Sequence, residues 1–286
     1  MYVLVNDSII SEEEATLNIT DLSVQRGYGI FDFLKTVAGK PIFLEDHLDR
    51  FYSSAEQMRL PVKPKRNELT GLLHALIEKN KLPESGVRIT LTGGYSPDGF
   101  NIAAASNIIV TQQDFVINRD YEKSIGLMTY DYQRQFASAK TLDYLKAIWL
   151  QPVLKEKGAD DILYHDNGVL RECPRANFFL INEKDEILTS KSNILKGVTR
   201  KHILKFSNQN FKIDERELTM DDLRHAKEAF ISSTTKNILP VTTVDGRVLG
   251  DRTPGPVTRA LMKEFDRYVY GDNEPETKSQ EPRQFS

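Results

Sequence analysis

The feature that most constrains this 286-residue chain is the brevity of its apolar runs and the repeated switch of their period between two and about 3.6. YVLV, the turn NDS and II read as an opening hairpin; FDFLKTV, the turn from Ala38 to Pro41 and IFL read as another. From Leu44 to Leu60 the residues Leu44, Leu48, Phe51, Ala55 and Met58 keep helical spacing, and Pro61 closes the run. A second helix is expected from Asn67 to Lys79. VRITLTGG and ASNIIVTQ then return to strand period, the first leading into the turn at 93–99. Further on, GLMTYDYQRQ, DDILYH, ANFFLIN, EILTS and EAFISS read as strands. Leu142, Leu145, Ile148, Trp149 and Val153 mark a helix stopping near Gly158, another follows Gly197, DDLRHAKE reads as a helix, and a last one runs from Pro256 to Tyr268.

A polar, weakly periodic stretch around 117–124 divides this pattern. The expected fold is α/β (α+β), with an N-terminal domain over 1–118, a linker over 119–124 and a C-terminal domain over 125–270. A cleft between the domains is the expected site. The tail 271–286 has the polar Pro/Glu/Gln composition of a disordered terminus.

Composition narrows the function classes. Hydrophobic residues make up 40% of the chain and charged ones 28%, a globular profile, and no apolar run has the length of a membrane span. The N-terminus lacks the basic start of a signal peptide. A net charge of −3 gives no basic footprint, so nucleic acid is not an expected partner. Cys173 is the only cysteine, which excludes an internal disulfide and fits the cytoplasm. The five histidines lack metal-ligand spacing, and no metal is expected.

Several residues gain meaning only together. Lys140 lies in QFASAKTLDYLKAI, at the expected junction of a strand and a helix, with Lys146 a rival on the helix's polar side. Glu172 lies in GVLRECPRANFFLI between two apolar strands, where a carboxylate is costly to bury without a cation. In ILKGVTR, Gly197 would let the backbone turn and aim the N–H groups of Val198 and Thr199 at an anion. Ser232, Ser233, Thr234 and Thr235 form a hydroxyl cluster at a strand end. Arg50 falls opposite the apolar stripe of its helix and is expected to be exposed unless a ligand or second domain meets it. Singly, each has an ordinary reading: a surface lysine, a surface Arg171–Glu172 pair, a capped helix, a polar loop. As a set they match the demands of pyridoxal 5′-phosphate (PLP), which needs a lysine amine, an acid for the pyridine nitrogen and a phosphate cup.

In this order and spacing the chain resembles the fold-type IV (class IV) PLP enzymes, and D-amino acid transaminases most. The resemblance runs from QRGYGIFDF at 25–33 through HLDRFYSSAEQMRL, SAKTLDYLKAI, RECPRANFFLI and ILKGVTR to FISSTTKNILPV. It implies a two-domain fold and a homodimer with the active site near the domain and subunit interface. Lys140 would be the Schiff-base lysine and proton shuttle, and Glu172 would meet the pyridine nitrogen. Arg50, Val198, Thr199 and Thr234 would hold the phosphate.

The implied reaction is ping-pong transamination between amino acids and 2-oxo acids, with D-amino acids as donors. A branched-chain L-amino acid transaminase, an aminodeoxychorismate lyase and a non-catalytic protein on the same scaffold are the alternatives. Many D-amino acid transaminases carry Tyr where this chain has Phe31, and an Arg-x-His carboxylate trap where it has Asp98-Gly99-Phe100. Arg26 and Arg88 are the expected substitutes for that trap, with Lys35 a further candidate. On VRITLTGG, alternation puts Arg88, Thr90 and Thr92 on the face opposite Val87, Ile89 and Leu91.

Overall fold

The structure is a computed structural model that describes residues 1–117, 120–207 and 210–271. Asn118 and Arg119, where the first domain was expected to pass into the linker, lie outside the described residues, as does the expected tail beyond Gly271.

The first part of the chain builds a six-stranded antiparallel sheet. Its strands are β1 (Tyr2–Val5), β2 (Ser8–Ser11), β3 (Gly29–Val37), β4 (Lys40–Pro41), β5 (Ser85–Thr92) and β6 (Ile108–Asp114), in the order β2-β1-β6-β5-β3-β4. The β3–β4 hairpin turns on Ala38 and Gly39, both at positive φ, the twist that suits a two-residue connection. Helices α1 (Leu22–Arg26), α2 (Leu44–Gln57) and α3 (Arg66–Asn80) accompany this sheet. The expected α2 stripe is buried: Leu48, Phe51 and Ala55 join Leu69, Leu73 and Leu76 of α3 and Ile30, Leu34, Val87, Ile89 and Leu91 of the sheet in one core. Burying each of the larger side chains stabilises the fold by roughly 1.5–3 kcal/mol.

The remainder builds an eleven-stranded mixed sheet. β7 (Ile125–Asp131), β8 (Asp161–Asp166), β9 (Val169–Leu170) and β10 (Glu172–Cys173) come first. β11 (Ala176–Ile181), β12 (Ile187–Ser190), β13 (Ile213–Arg216) and β14 (Leu218–Thr219) follow, then β15 (Glu228–Ser233), β16 (Asn237–Val244) and β17 (Arg247–Val248). The order is β13-β12-β11-β15-β16-β7-β8-β9-β14, with β10 on β11 and β17 on β16. Helices α4 (Leu145–Trp149), α5 (Gln151–Lys157), α6 (Val198–Leu204), α7 (Met220–Arg224) and α8 (Pro256–Tyr270) lie along this part.

Two helical expectations change. The single helix expected from Leu142 to Lys157 is two short ones, broken at Leu150, with Pro152 in the first turn of α5 where its missing N–H does no harm. Leu145, Ile148 and Trp149 of α4 are exposed rather than packed. DDLRHAKE keeps only a short helix, α7: Thr219 opens it by accepting from Asp222 N–H, and after Arg224 the chain leaves for β15. Among the described residues no helix is long and apolar enough to cross a membrane.

Candidate active site

Residues of both sheets line a cavity of about 460 Å³, a size in the range that encloses a cofactor-sized ligand. Lys140 faces into it, and its position comes from β3 rather than from a helix start. Phe31 N–H donates to the Lys140 carbonyl at 2.9 Å, Leu142 N–H to the Gly29 carbonyl at 3.0 Å, and Lys140 N–H to Ser54 Oγ at 3.1 Å. The segment before α4 is thus laid along a strand edge, with the lysine side chain turned inward. Burial, reinforced by the nearby Arg50 charge, lowers the amine from 10.5 to about 7. Its Nζ lies 4.6 Å from the centroid of the Phe31 ring. Lys146, the rival, points among Tyr130, Tyr132 and Trp149 and is not in the cavity wall.

Glu172 also lines the cavity and is buried. The cation that sequence reasoning required for it is present within the chain: Arg134 Nε donates to Glu172 Oε1 at 3.0 Å and Nη2 lies 2.9 Å from the same oxygen. Leu195 N–H donates to Oε2 at 3.0 Å. Burial raises the carboxyl above its ordinary value, and these two partners offset part of that rise.

Arg50 is largely buried, contrary to the exposed position expected from its helix. Its Nε and Nη2 donate to the two oxygens of Asp32 at 2.8 and 2.7 Å, and His47 Nδ1 lies 2.7 Å from the same carboxylate. The cause is packing of α2 on β3, which brings the strand's only acid against the helix. Arg50 reaches the cavity wall from this fixed pair.

The Gly197–Thr199 turn forms another part of the wall. Gly197 has an ordinary φ of −63°, so glycine is required here by close approach and not by backbone conformation. A Cβ would lie 2.2 Å from Asn177 Oδ1. That amide oxygen accepts from Gly197 N–H at 3.2 Å, while Asn177 Nδ2 donates to the Leu195 carbonyl at 2.7 Å. Ser232, Ser233, Thr234 and Thr235 border the same space, and the buried Ser232 Oγ has no hydrogen-bond partner among the described residues.

Phe31 and Arg88 line the cavity as well, and the Phe31 ring lies against both Arg88 and Lys140. In the β3–β5 register Phe31 pairs with Thr90, which makes Arg88 its diagonal neighbour. The Arg88 guanidinium rests 3.8 Å from the Phe31 ring centroid, and among the described residues no carboxylate pairs with it. Val87, Ile89 and Leu91 are fully buried on the other face.

The structure does not bring Arg26 or Lys35 into this wall. Arg26 is exposed at the end of α1, donating to the Gln25 carbonyl. Lys35 is buried and donates to Asn237 Oδ1 and to Tyr270 Oη, the latter at 2.6 Å. Asp98 builds its own turn: it accepts from Phe100 N–H and Asn101 N–H, bonds that hold its carboxyl down to about 2. Sequence reasoning missed Arg134, Asp32, His47 and Asn177, and also Tyr144, Arg175 and Lys236, which line the cavity. The one available signal was the charge requirement at Glu172, which called for a cation without saying which.

The family described as Amino-transferase class IV matches residues 29–244. A D-alanine aminotransferase of Listeria monocytogenes is 30% identical over 281 residues, covering 93% of this chain and 95% of the relative. One from Bacillus licheniformis is 27% identical over 279 residues, covering 95% and 98%. Among solved structures, a branched-chain amino acid aminotransferase of Escherichia coli superposes with a TM-score of 0.87 at 24% identity, covering 96% of each chain. A PLP-bound hypothetical aminotransferase from Mycobacterium tuberculosis gives 0.83 at 22% identity, covering 96% and 100%.

Proposed function

Because this chain belongs to the class IV aminotransferases, PLP enzymes acting on amino acids and 2-oxo acids, we propose that it is a D-amino acid transaminase whose donor carboxylate is bound by Arg88. The likeness to D-alanine aminotransferases over nearly the full length carries the donor handedness. The guanidinium of Arg88, which lines the cavity, shares the Phe31 ring with Lys140 and meets no carboxylate among the described residues, supports the carboxylate assignment.

The residues present fit PLP. The cavity holds an amine of depressed pKa, a buried carboxylate, an arginine, a glycine turn where a Cβ would force Asn177 to shift, and a buried hydroxyl with no partner among the described residues. PLP supplies an electrophilic carbonyl and a ring that draws electrons from the donor α-carbon. Lys140, about half neutral at pH 7, serves as the covalent anchor and then holds and returns the α-proton at Nζ. Glu172, oriented by Arg134, holds positive charge at the ring nitrogen. Arg50, the backbone N–H groups of Val198 and Thr199, and the Thr234 hydroxyl hold the phosphate. Phe31 keeps the amine's surroundings dry and offers Arg88 a ring face.

The assembly we propose is a homodimer, supported by the exposed apolar side chains of Leu145, Ile148 and Trp149 on α4. A donor-binding role for Arg26 requires such a second copy, since in its own chain it stands outside the cavity.

The test is a single-turnover panel in which the holoenzyme meets D-alanine, D-glutamate or L-leucine and the 2-oxo acid is quantified. Product from the D-donors is expected. Product from L-leucine alone would replace this proposal with a branched-chain transaminase. Arg88→Ala is expected to raise the donor KM roughly 10- to 100-fold, the scale of a lost charge-assisted pair of about 1.5–3 kcal/mol.

A further inference from the structure

Outside the cavity, a partly buried contact joins the two elements to which the phosphate is assigned. We propose that His202 and Asp46 form a positioning strut that sets the spacing between Arg50 and the Gly197–Thr199 turn, and thereby the retention of PLP. The inference rests on the phosphate assignment made above.

The argument is one of register on two helices. Asp46 stands four residues before Arg50 on α2, one turn away on the same face. His202 stands three residues after Thr199 and four after Val198 on α6, again one turn away. The Asp46–His202 contact is therefore the rung next to the space between Arg50 and the turn. α2 is packed into the core of the first sheet, while Ile203 of α6 is packed with the second. The strut thus spans the two parts of the protein that supply the phosphate ligands.

Its construction is rigid. His202 Nε2 lies 2.7 Å from Asp46 Oδ2, and Lys201 Nζ bonds the other oxygen of the same carboxylate. On the far side of the ring, Nδ1 lies 2.8 Å from Tyr268 Oη of α8 and 3.3 Å from Lys205 Nζ. Phe43 stacks on the imidazole with centroids 3.5 Å apart and planes 14° from parallel. Phe43 holds φ at +54°, a left-handed conformation that a bulky residue keeps only where its surroundings impose it. Burial lowers the His202 pKa and so favours the neutral ring, against the pull of Asp46. A neutral ring satisfies the set in one tautomer, with Nε2–H donating to Asp46 and Nδ1 accepting. None of Phe43, Asp46, His202 and Tyr268 is part of the cavity wall.

The measurement is the dissociation constant of the reconstituted protein for PLP and for pyridoxal, which lacks the phosphate. His202→Phe keeps an aromatic ring against Phe43 and removes the donor; Asp46→Ala removes the acceptor from a partly exposed position. Each is expected to weaken PLP roughly 10-fold, the scale of one charge-assisted hydrogen bond, and to leave pyridoxal unchanged. The double variant should fall no further than either single. Arg50→Ala reads the phosphate assignment itself and should also lose the preference for PLP over pyridoxal. If it does while the strut variants keep that preference, the strut is overturned and the phosphate assignment stands. If Arg50→Ala keeps the preference, the assignment fails and the strut with it. Equal weakening of both aldehydes would overturn the strut by marking the pair as general scaffold. Should His202→Phe not fold, Asp46→Ala decides the matter by the same ratio.

Discussion

Lys140 is a base near neutrality because its amine is buried and shares a cavity with Arg50. A lowered lysine pKa means the neutral, reactive form gains as pH rises through about 7, well before the 10.5 of an ordinary lysine. In the PLP-free protein, an amine-acylating reagent should therefore label Lys140 half-maximally near pH 7, as read by peptide mapping across a pH series. Labelling that begins only above pH 9 would contradict the desolvated environment. Lys140, Glu172 and Arg50 stood out in the sequence as residue types that the chemistry asks for, in an order that resembles class IV enzymes, and the structure brings all three to one cavity. Their partners were not legible there. Arg134 meets Glu172 across 38 residues and Arg50 meets Asp32 across 18, and such pairings exist only once sheets and helices have packed.

Among elements, the turn at Gly197 is sensitive to a single added methyl. Gly197→Ala would place a methyl 2.2 Å from Asn177 Oδ1, and Asn177 is itself bonded to Gly197 N–H and the Leu195 carbonyl. The expected result is a loss of about 1–3 kcal/mol in urea unfolding, the usual cost of overpacking, together with weaker PLP binding. An alanine variant with wild-type values in both measurements would show that Asn177 moves aside freely. The opening hairpin and α2, α3 and α8 were readable from period, since each helix buries the face its pattern implies. The second hairpin returns on Lys40–Pro41 and not on the expected IFL, because the chain turns at Ile42 and Phe43 to start α2 at Leu44. The stretch after Lys140 was not readable. An apolar stripe has the same spacing whether it meets a core or points outward, as Leu145, Ile148 and Trp149 do.

For the whole molecule, those outward side chains carry the expectation of a second copy. Sedimentation equilibrium should give twice the 32.6 kDa of one chain, and Leu145→Asp combined with Trp149→Glu should give the single mass. A wild-type protein that sediments as one chain would remove the homodimer from the proposal. Within one chain, the first sheet brings Lys140 and Arg88 to the cavity and the second brings Glu172 and the hydroxyl cluster.

The seam between Lys140 and β3 consists of main-chain bonds, from Phe31 N–H to the Lys140 carbonyl and from Leu142 N–H to the Gly29 carbonyl. Bonds of that kind are blind to side-chain identity. The residue at 31 can change without displacing the lysine, and so can its diagonal neighbour at 88. On the proposed assignment, the placement of the amine and the choice of donor are therefore separable at position 88: an engineer can exchange the guanidinium assigned to the donor while inheriting the seam that places the lysine.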